Sequence, residues 1–175
     1  MDRTRRALFP KSTVLKLPEI LAQTDLPSTG VFKLRIEYDT EVRKTELVPY
    51  VIRPVNSLRV VAADEVRYGK KFADRAGIRR CLERKGSADD IIMTQRGHLT
   101  DASYANLALF DGNYWYTPAW PLLRGTRREM LLEMGVLRPT VIRARDLGNF
   151  QKVRLVNAML EWEEAPEVGM EAVVL

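Results

Sequence analysis

The sequence has one cysteine, Cys81, and one histidine, His98, among its 175 residues. One cysteine cannot form a disulfide within the chain, and the pair cannot supply a structural zinc site. With one histidine, the chain cannot use a mechanism that needs two histidines, and a serine triad could only use His98 as its base. No apolar run approaches the roughly 18 residues that span a bilayer, and the N-terminus lacks the features of a signal peptide. We therefore expect a soluble, cytoplasmic protein with no metal site and no membrane partner.

Neither sign of charge dominates the sequence, which has 28 basic and 23 acidic residues and a net charge of +5. The charges are interspersed along the chain, which does not favour a nucleic-acid partner. The densest basic cluster is interpreted as the solvated face of a helix; it contains Arg3, Arg5, Arg6 and Lys11. A nucleic-acid module using these arginines is the weaker alternative, and it would bind with a steep salt dependence.

Apolar periodicity predicts more strands than helices, which indicates an α+β fold. Residues 31–38, 44–51 and 58–62 are predicted to form an antiparallel meander. A buried helix is expected at 72–84, and a second helix at 126–135 with a capping box between Thr126 and Glu129. Further short strands are predicted at 91–94, 98–100, 106–110, 115–117, 140–142 and 153–159, with a helical turn near 146–148. We expect two lobes, residues 1–64 and residues 65–175.

Several short motifs follow one another in a specific order. They are Lys71-Phe-Ala-Asp-Arg75, Asp89-Asp90, Gly97, Thr100-Asp101, Asn106, Tyr116-Thr-Pro118, Leu123-Arg-Gly-Thr-Arg127 and Val156-Asn-Ala-Met159. The run resembles the class IV (fold-type IV) pyridoxal 5'-phosphate (PLP) enzymes, which include branched-chain and D-amino-acid aminotransferases and aminodeoxychorismate lyase. The resemblance covers about residues 1 to 160. It implies a two-lobed fold-type IV enzyme, a PLP cofactor and a homodimer.

The resemblance implies a role for individual residues. Lys71 is the implied Schiff-base lysine, and Asp101, where the family favours glutamate, is implied beside the pyridine nitrogen. Gly125 and Thr126 are implied at the phosphate. Asn157 and Ala158 are implied on the substrate side of the cofactor, while Asn106 is interpreted as a structural residue that holds a loop.

Two choices between candidates remain at this stage. Lys70 competes with Lys71, and successive strand residues point to opposite faces, so we expect Lys71 at the cofactor and Lys70 in solvent. The substrate carboxylate suits the planar fork of an arginine, and the candidates are Arg35, Arg124 and Arg127.

Family members normally begin earlier, with a strand and a His-x-x-Arg segment whose arginine grips the phosphate. The residues from Met1 onward resemble the family segment directly after that arginine, so we expect the first strand of the small lobe to precede the sequence as given. The absent arginine would remove a charge-assisted phosphate contact.

The first function hypothesis is a PLP-dependent transaminase acting on an amino acid. Aminodeoxychorismate lyase, a PLP-dependent C–C lyase that releases pyruvate, is the alternative within the family. A non-catalytic member that kept the fold is the alternative from another class.

Overall fold

The structure is a computed structural model that describes residues 2–175, with side chains from residue 4 onward. Its chain divides into two compact units, Met1–Ile52 and Arg53–Leu175. No helix within residues 2–175 is long and apolar enough to cross a membrane.

The first unit combines two short helices with a β-hairpin. The helices are α1 (Asp2–Leu8) and α2 (Leu17–Ala22), and the antiparallel strands are β1 (Phe32–Tyr38) and β2 (Val42–Pro49). Arg5 on α1 is buried at 2% exposure, and its guanidinium donates to the carbonyl oxygens of Thr13, Asp39 and Thr40. The interpretation of the basic cluster as a solvated face is therefore wrong for Arg5, because backbone carbonyls replace its water. Arg6 is exposed as expected, and the side chain of Arg3 lies outside the described residues.

The second unit is built on a mixed sheet of nine strands within residues 53–175. The main order is β10-β9-β6-β5-β4-β3-β11, with β7 paired to β6 and β8 paired to β7. The strands are β3 (Leu58–Ala62), β4 (Asp90–Gln95), β5 (His98–Ala102), β6 (Asn106–Phe110), β7 (Trp115–Pro118), β8 (Leu137–Thr140), β9 (Lys152–Val156), β10 (Glu167–Gly169) and β11 (Val173–Val174).

The predicted meander of three antiparallel strands is wrong at its third member. β1 pairs with β2, but β3 pairs in parallel with β4, in register from Leu58 opposite Asp90 to Ala62 opposite Thr94. Parallel strands need a long crossover connection, which residues 63–89 supply with a helix in the middle. A local sequence pattern predicts a strand well, but it carries little information about that strand's partner.

Both predicted helices of this unit exist with shorter bounds. They are α3 (Ala76–Leu82), continued by a 3₁₀ turn to Lys85, and α4 (Thr126–Glu133). α3 therefore begins five residues after Lys71 rather than directly after it. The predicted capping box of α4 is also absent: Gly125 is the N-cap, and no side chain caps it. The strand expected at 140–142 lies earlier, at β8, and the short strands β10 and β11 were not predicted.

Apolar side chains pack on both faces of the sheet. One face carries Leu58, Ile92, Leu99, Ala102 and their neighbours. A second cluster joins Ile91 and Met93 of β4 to Tyr68, to Ile78 of α3, and to the partly buried Leu122 and Leu123. The loop before α3 and the loop before α4 therefore pack into one apolar layer.

Candidate active site

A β-bulge sets the direction of Asp101. Thr94 pairs with Leu99 and Ile92 with Ala102, so Thr100 and Asp101 together face the single residue Met93. Leu99 and Ala102 both enter the same apolar cluster, although they are three residues apart. The extra residue turns Asp101 toward the other face of β5, which is how bulges commonly re-aim a side chain.

The Asp101 carboxylate is buried and held by two donors. Its exposure is 5%; Asn106 Nδ2 donates to Oδ1 at 2.5 Å, and the Leu123 amide donates to Oδ2 at 3.0 Å. Burial raises the pKa of Asp101 to about 6, against the lowering effects of these hydrogen bonds and of the Arg128 charge. A carboxylate oxygen has two lone pairs, so each oxygen can still accept from a further donor.

Asn106 joins the segments around this carboxylate. Besides Asp101, its Nδ2 donates to the Leu123 carbonyl at 2.8 Å. In the sheet it lies opposite Asp101 on β5 and opposite Val156 on β9. A Cβ at Gly125 would lie 2.2 Å from Asn106 Oδ1, so only glycine fits there. The interpretation of Asn106 as a residue that holds a loop agrees with these contacts.

The start of α4 therefore lies against Asn106. The first amides of a helix have no partner within the helix and, with the helix dipole, favour an anion. Thr126 at this end is exposed. Arg128, one turn in, is buried and fixes α4 to the end of β7: its Nε donates to Thr117 Oγ1 at 3.1 Å and its Nη2 to the Pro118 carbonyl at 2.9 Å. Burial lowers the pKa of Arg128.

The segment that carries Lys71 is irregular and lies between β3 and α3. Lys71 is exposed and Lys70 is half-buried, so the expectation that Lys70 lies in solvent is wrong, while the placement of Lys71 at the cofactor stays a prediction. The expectation was wrong because neither lysine lies on a strand, so the alternation of strand side chains does not apply. Tyr68 anchors this segment in the apolar layer that Leu122 and Leu123 also contact. The Lys71 segment and the backbone that donates to Asp101 thus pack on the same layer.

The other expected residues are distributed more widely. Asn157 directly follows Val156, and its Oδ1 accepts the Met159 amide at 2.8 Å, which forms the turn that exposes Ala158. Arg127 binds both carboxylate oxygens of Glu161, at 2.8 and 3.1 Å. Arg124 is exposed beside Gly125.

Arg35 lies in the first unit, where it pairs with Glu37 and Glu46. A cavity of about 310 Å³ in the second unit is lined by Asp111, Tyr116, Thr140, Val141, Ile142, Asp146, Asn149 and Phe150, none of them an expected site residue.

Comparison with known proteins decides the family. The family model for class IV amino-transferases matches residues 69–167. An uncharacterised protein of Haemophilus influenzae is 32% identical over 161 residues, which cover 90% of this chain and 85% of that protein. The chain belongs to the class IV aminotransferase family.

Solved structures of class IV aminotransferase relatives agree with the fold. A protein from Haemophilus somnus, provisionally named a 4-amino-4-deoxychorismate lyase, superposes with a TM-score of 0.82 at 30% identity, covering 90% of this chain and 84% of that one. A hypothetical aminotransferase from Mycobacterium tuberculosis in its PLP-bound form gives a TM-score of 0.55 at 21% identity, covering 66% of this chain and 47% of that one. The expected fold-type IV class is confirmed.

The donor set of this chain fits PLP. The cofactor needs an anionic acceptor for its ring nitrogen and converging donors for its phosphate. Asp101 is a buried carboxylate with unused lone pairs. The start of α4, whose first amides have no partner within the helix, lies beside its partner Asn106. Gly125 lets the helix start approach this closely, as the short distance from its virtual Cβ to Asn106 shows.

Two arginines near these residues receive no role from the sequence. Arg128 directly follows the Leu123-Arg-Gly-Thr-Arg127 motif, and its side chain fixes the helix start to β7. Arg75 was part of the Lys71 motif but received no role, and in the structure it donates to the Ser103 carbonyl. The place of Arg128 beside that motif is visible in the sequence, whereas the contact between Arg75 and Ser103, 28 residues apart, is visible only in the fold.

Proposed function

We propose that this chain is a PLP-dependent enzyme that acts on an amino acid through Lys71, with transamination as its reaction. The observation that supports this best is the arrangement around Asn106. Asn106 binds the buried Asp101 carboxylate and lies against the start of α4, where only glycine fits. It also pairs with the strand that leads to Asn157. Family membership supplies the expectation of PLP.

The residues divide the chemistry between them. Bound PLP would act as an electron sink for the substrate carbon. Asp101 would keep the ring nitrogen protonated, because a cation beside a buried carboxylate is favoured over an unpaired charge. The amides of Gly125 and Thr126 would donate to the phosphate together with the Thr126 hydroxyl, and Asn157 and Ala158 would contact the cofactor on its substrate side. Lys71 would carry the Schiff base and then move the proton at the substrate carbon through its Nζ.

The choice of lysine is tested by borohydride trapping. Purified protein is incubated with PLP, reduced and digested, and the adduct is located by mass spectrometry. We expect the adduct on Lys71 in the wild type, its loss in Lys71→Ala and its retention in the matched control Lys70→Ala. A wild-type protein that gains no visible absorbance and no adduct would instead support the non-catalytic alternative.

Arg124 is the arginine that we propose for the substrate carboxylate. Arg35 and Arg127 already bind glutamates, whereas Arg124 is exposed next to Gly125. Arg124→Gln should raise KM for the substrate several-fold and change kcat little, because it removes binding shared by ground and transition states. An unchanged KM would remove Arg124 from the site.

A lyase reaction is the second candidate, and one specific observation favours it. The relative from Haemophilus somnus at a TM-score of 0.82 bears the name of 4-amino-4-deoxychorismate lyase. Two assays on the PLP-loaded protein separate the candidates. Release of pyruvate from 4-amino-4-deoxychorismate without a keto-acid acceptor indicates the lyase, and transfer of an amino group from an amino acid to a keto acid indicates the transaminase.

We also propose that the protein is a cytoplasmic homodimer, as the family resemblance implies. Light scattering coupled to gel filtration should give twice the chain mass of 20.1 kDa. A single-chain mass across micromolar concentrations would contradict the dimer.

A further inference from the structure

The backbone at Lys71 forms a tight turn. The Phe72 amide donates to the Lys70 carbonyl at 2.8 Å, which closes a three-residue γ-turn with Lys71 at its centre. Lys71 does not have a positive φ, so this is the common inverse form of the turn. The central residue of such a turn is confined to a narrow range of φ and ψ, and its Cα–Cβ bond therefore has a defined direction.

Tyr68 binds the other side of this turn. Its hydroxyl donates to the Phe72 carbonyl at 3.0 Å, which closes a loop of five residues around Lys71. The two rings meet edge to face, with 6.3 Å between the ring centres of Tyr68 and Phe72. Tyr68 is 8% exposed and belongs to the apolar cluster of α3 and β4, whereas Lys71 and Phe72 are exposed. A residue fixed in the core thus holds the surface turn that carries the proposed Schiff-base lysine.

The Tyr68 ring also contacts an arginine that binds the turn after β5. The Arg75 guanidinium carbon lies 5.8 Å from the centre of the Tyr68 ring, and Arg75 Nη2 donates to the Ser103 carbonyl. Ser103 is two residues after Asp101, in the turn from β5 to β6. Tyr68 therefore lies between the Lys71 segment and the arginine that binds the turn next to Asp101.

Packing alone explains a buried ring at this position but not its hydroxyl. Phenylalanine would fill the same space, while a buried tyrosine hydroxyl needs a hydrogen-bond partner. That partner is the carbonyl of the residue directly after Lys71. Because Phe72 is 43% exposed, we expect water to bind its carbonyl when the hydroxyl is removed. Removal should then disturb the turn more than it disturbs the core.

We propose that Tyr68 is a positioning residue that fixes the direction of the Lys71 side chain through the Phe72 carbonyl. Tyr68 needs no contact with cofactor or substrate for this role. The inference rests on the proposed function of Lys71, and it gives a reason why Lys71 rather than Lys70 reacts.

The test uses the full chain with added PLP and removes one hydroxyl at a time. Tyr68→Phe deletes the donor and keeps the buried ring. Tyr114→Phe is the matched control, on a tyrosine that is 47% exposed in the turn between β6 and β7. Four quantities are measured: the rate of adduct formation by borohydride trapping, the ratio of Lys71 to Lys70 adducts, the hydrogen exchange of the Phe72 amide without PLP, and the midpoint of urea unfolding.

Tyr68→Phe should slow adduct formation on Lys71 by about 3-fold to 10-fold, because one neutral hydrogen bond shifts an equilibrium by about that factor. The Phe72 amide should exchange faster by about the same factor. The share of adduct on Lys70 should rise, because a looser turn no longer presents one amine in a fixed geometry. The urea midpoint should fall only slightly, and Tyr114→Phe should match the wild type in all four quantities.

Two results would overturn the inference. If Tyr68→Phe lowers the urea midpoint but leaves the trapping rate and the ratio of adducts unchanged, Tyr68 is a purely structural residue. If the wild-type Phe72 amide exchanges as fast as an amide in an unstructured peptide, the turn is not closed, and this result decides even when Tyr68→Phe does not fold. A wild type that forms no Lys71 adduct would contradict the proposed function itself, which separates the two failures.

Discussion

Replacing Gly125 by alanine tests the centre of the site. The added Cβ would lie 2.2 Å from Asn106 Oδ1 and 3.3 Å from its Cγ, well inside van der Waals contact. Asn106 cannot turn away freely, because its Nδ2 donates to both Asp101 and Leu123. Either the start of α4 shifts or Asn106 releases the buried carboxylate.

The two responses have comparable magnitudes. Overpacking costs about 1–3 kcal/mol, and a hydrogen bond to a charged group contributes about 1.5–3 kcal/mol. We expect Gly125→Ala to lower the free energy of unfolding by about 1–3 kcal/mol, whichever response occurs. With a urea slope of about 2 kcal/mol per molar, the midpoint should fall by roughly 0.5–1.5 M.

Tryptophan fluorescence in urea provides the assay, because all three tryptophans, Trp115, Trp120 and Trp162, lie in the second unit. Gly148→Ala is the matched control: no heavy atom lies within 4 Å of its virtual Cβ, and the variant should change the midpoint little.

A double-mutant cycle with Asn106→Ala separates the clash from general disturbance. Truncating Asn106 removes the atoms that the new methyl group meets. Adding Gly125→Ala to Asn106→Ala should therefore cost at least about 1 kcal/mol less than adding it to the wild type. If Gly125→Ala destabilises no more than Gly148→Ala, or if the two site changes are additive, the close approach does not restrain the site.

Three further predictions follow. Burial raises the pKa of Asp101 from 3.8 to about 6, so the folded chain binds this proton more tightly than the unfolded chain and loses stability as pH rises through that window. Urea midpoints measured at pH 4 to 7 should therefore fall with rising pH, and Asp101→Asn should make this fall smaller; the same fall in the variant would contradict the burial argument. Arg154 packs over the Trp162 ring at 4.4 Å and binds Glu167; Arg154→Ala should cost about 1–3 kcal/mol in urea unfolding, with Arg154→Lys intermediate. Arg5→Met should increase proteolysis of the hairpin in the first unit, because three backbone carbonyls lose their donor, whereas Arg6→Gln should not.

Much of the fold arises from local patterns in the sequence. The strand at 58–62 was predicted with the observed bounds, as was the one at 106–110. Turns also depend on local residue types: Arg96 and Gly97 both have positive φ between β4 and β5, a conformation that glycine adopts readily. Period-two alternation and turn residues act over a few positions, so a single sequence suffices to detect them.

Pairing and burial were less predictable. β3 does not pair within the predicted meander, because its partner, β4, is more than 25 residues further along the chain. Local patterns carry no information over such a distance. Arg5 was expected in solvent, and only the packing of α1 against the hairpin revealed three carbonyl acceptors. Lys70 is half-buried rather than in solvent, because the backbone that carries it is not a strand and the alternation of strand side chains does not set its direction.

The sequence by itself determined the family, because the types and spacing of its motifs from Lys71 to Met159 depend on chain order alone. It also determined which residue types were available for a PLP site. Only the tertiary structure decided where the Asp101 carboxylate lies and which groups bind it. The bulge opposite Met93 turns its carboxylate away from the apolar cluster, and Asn106 holds it against the start of α4. These features arise from hydrogen bonds between strands and loops distant in sequence, whose register no local pattern specifies.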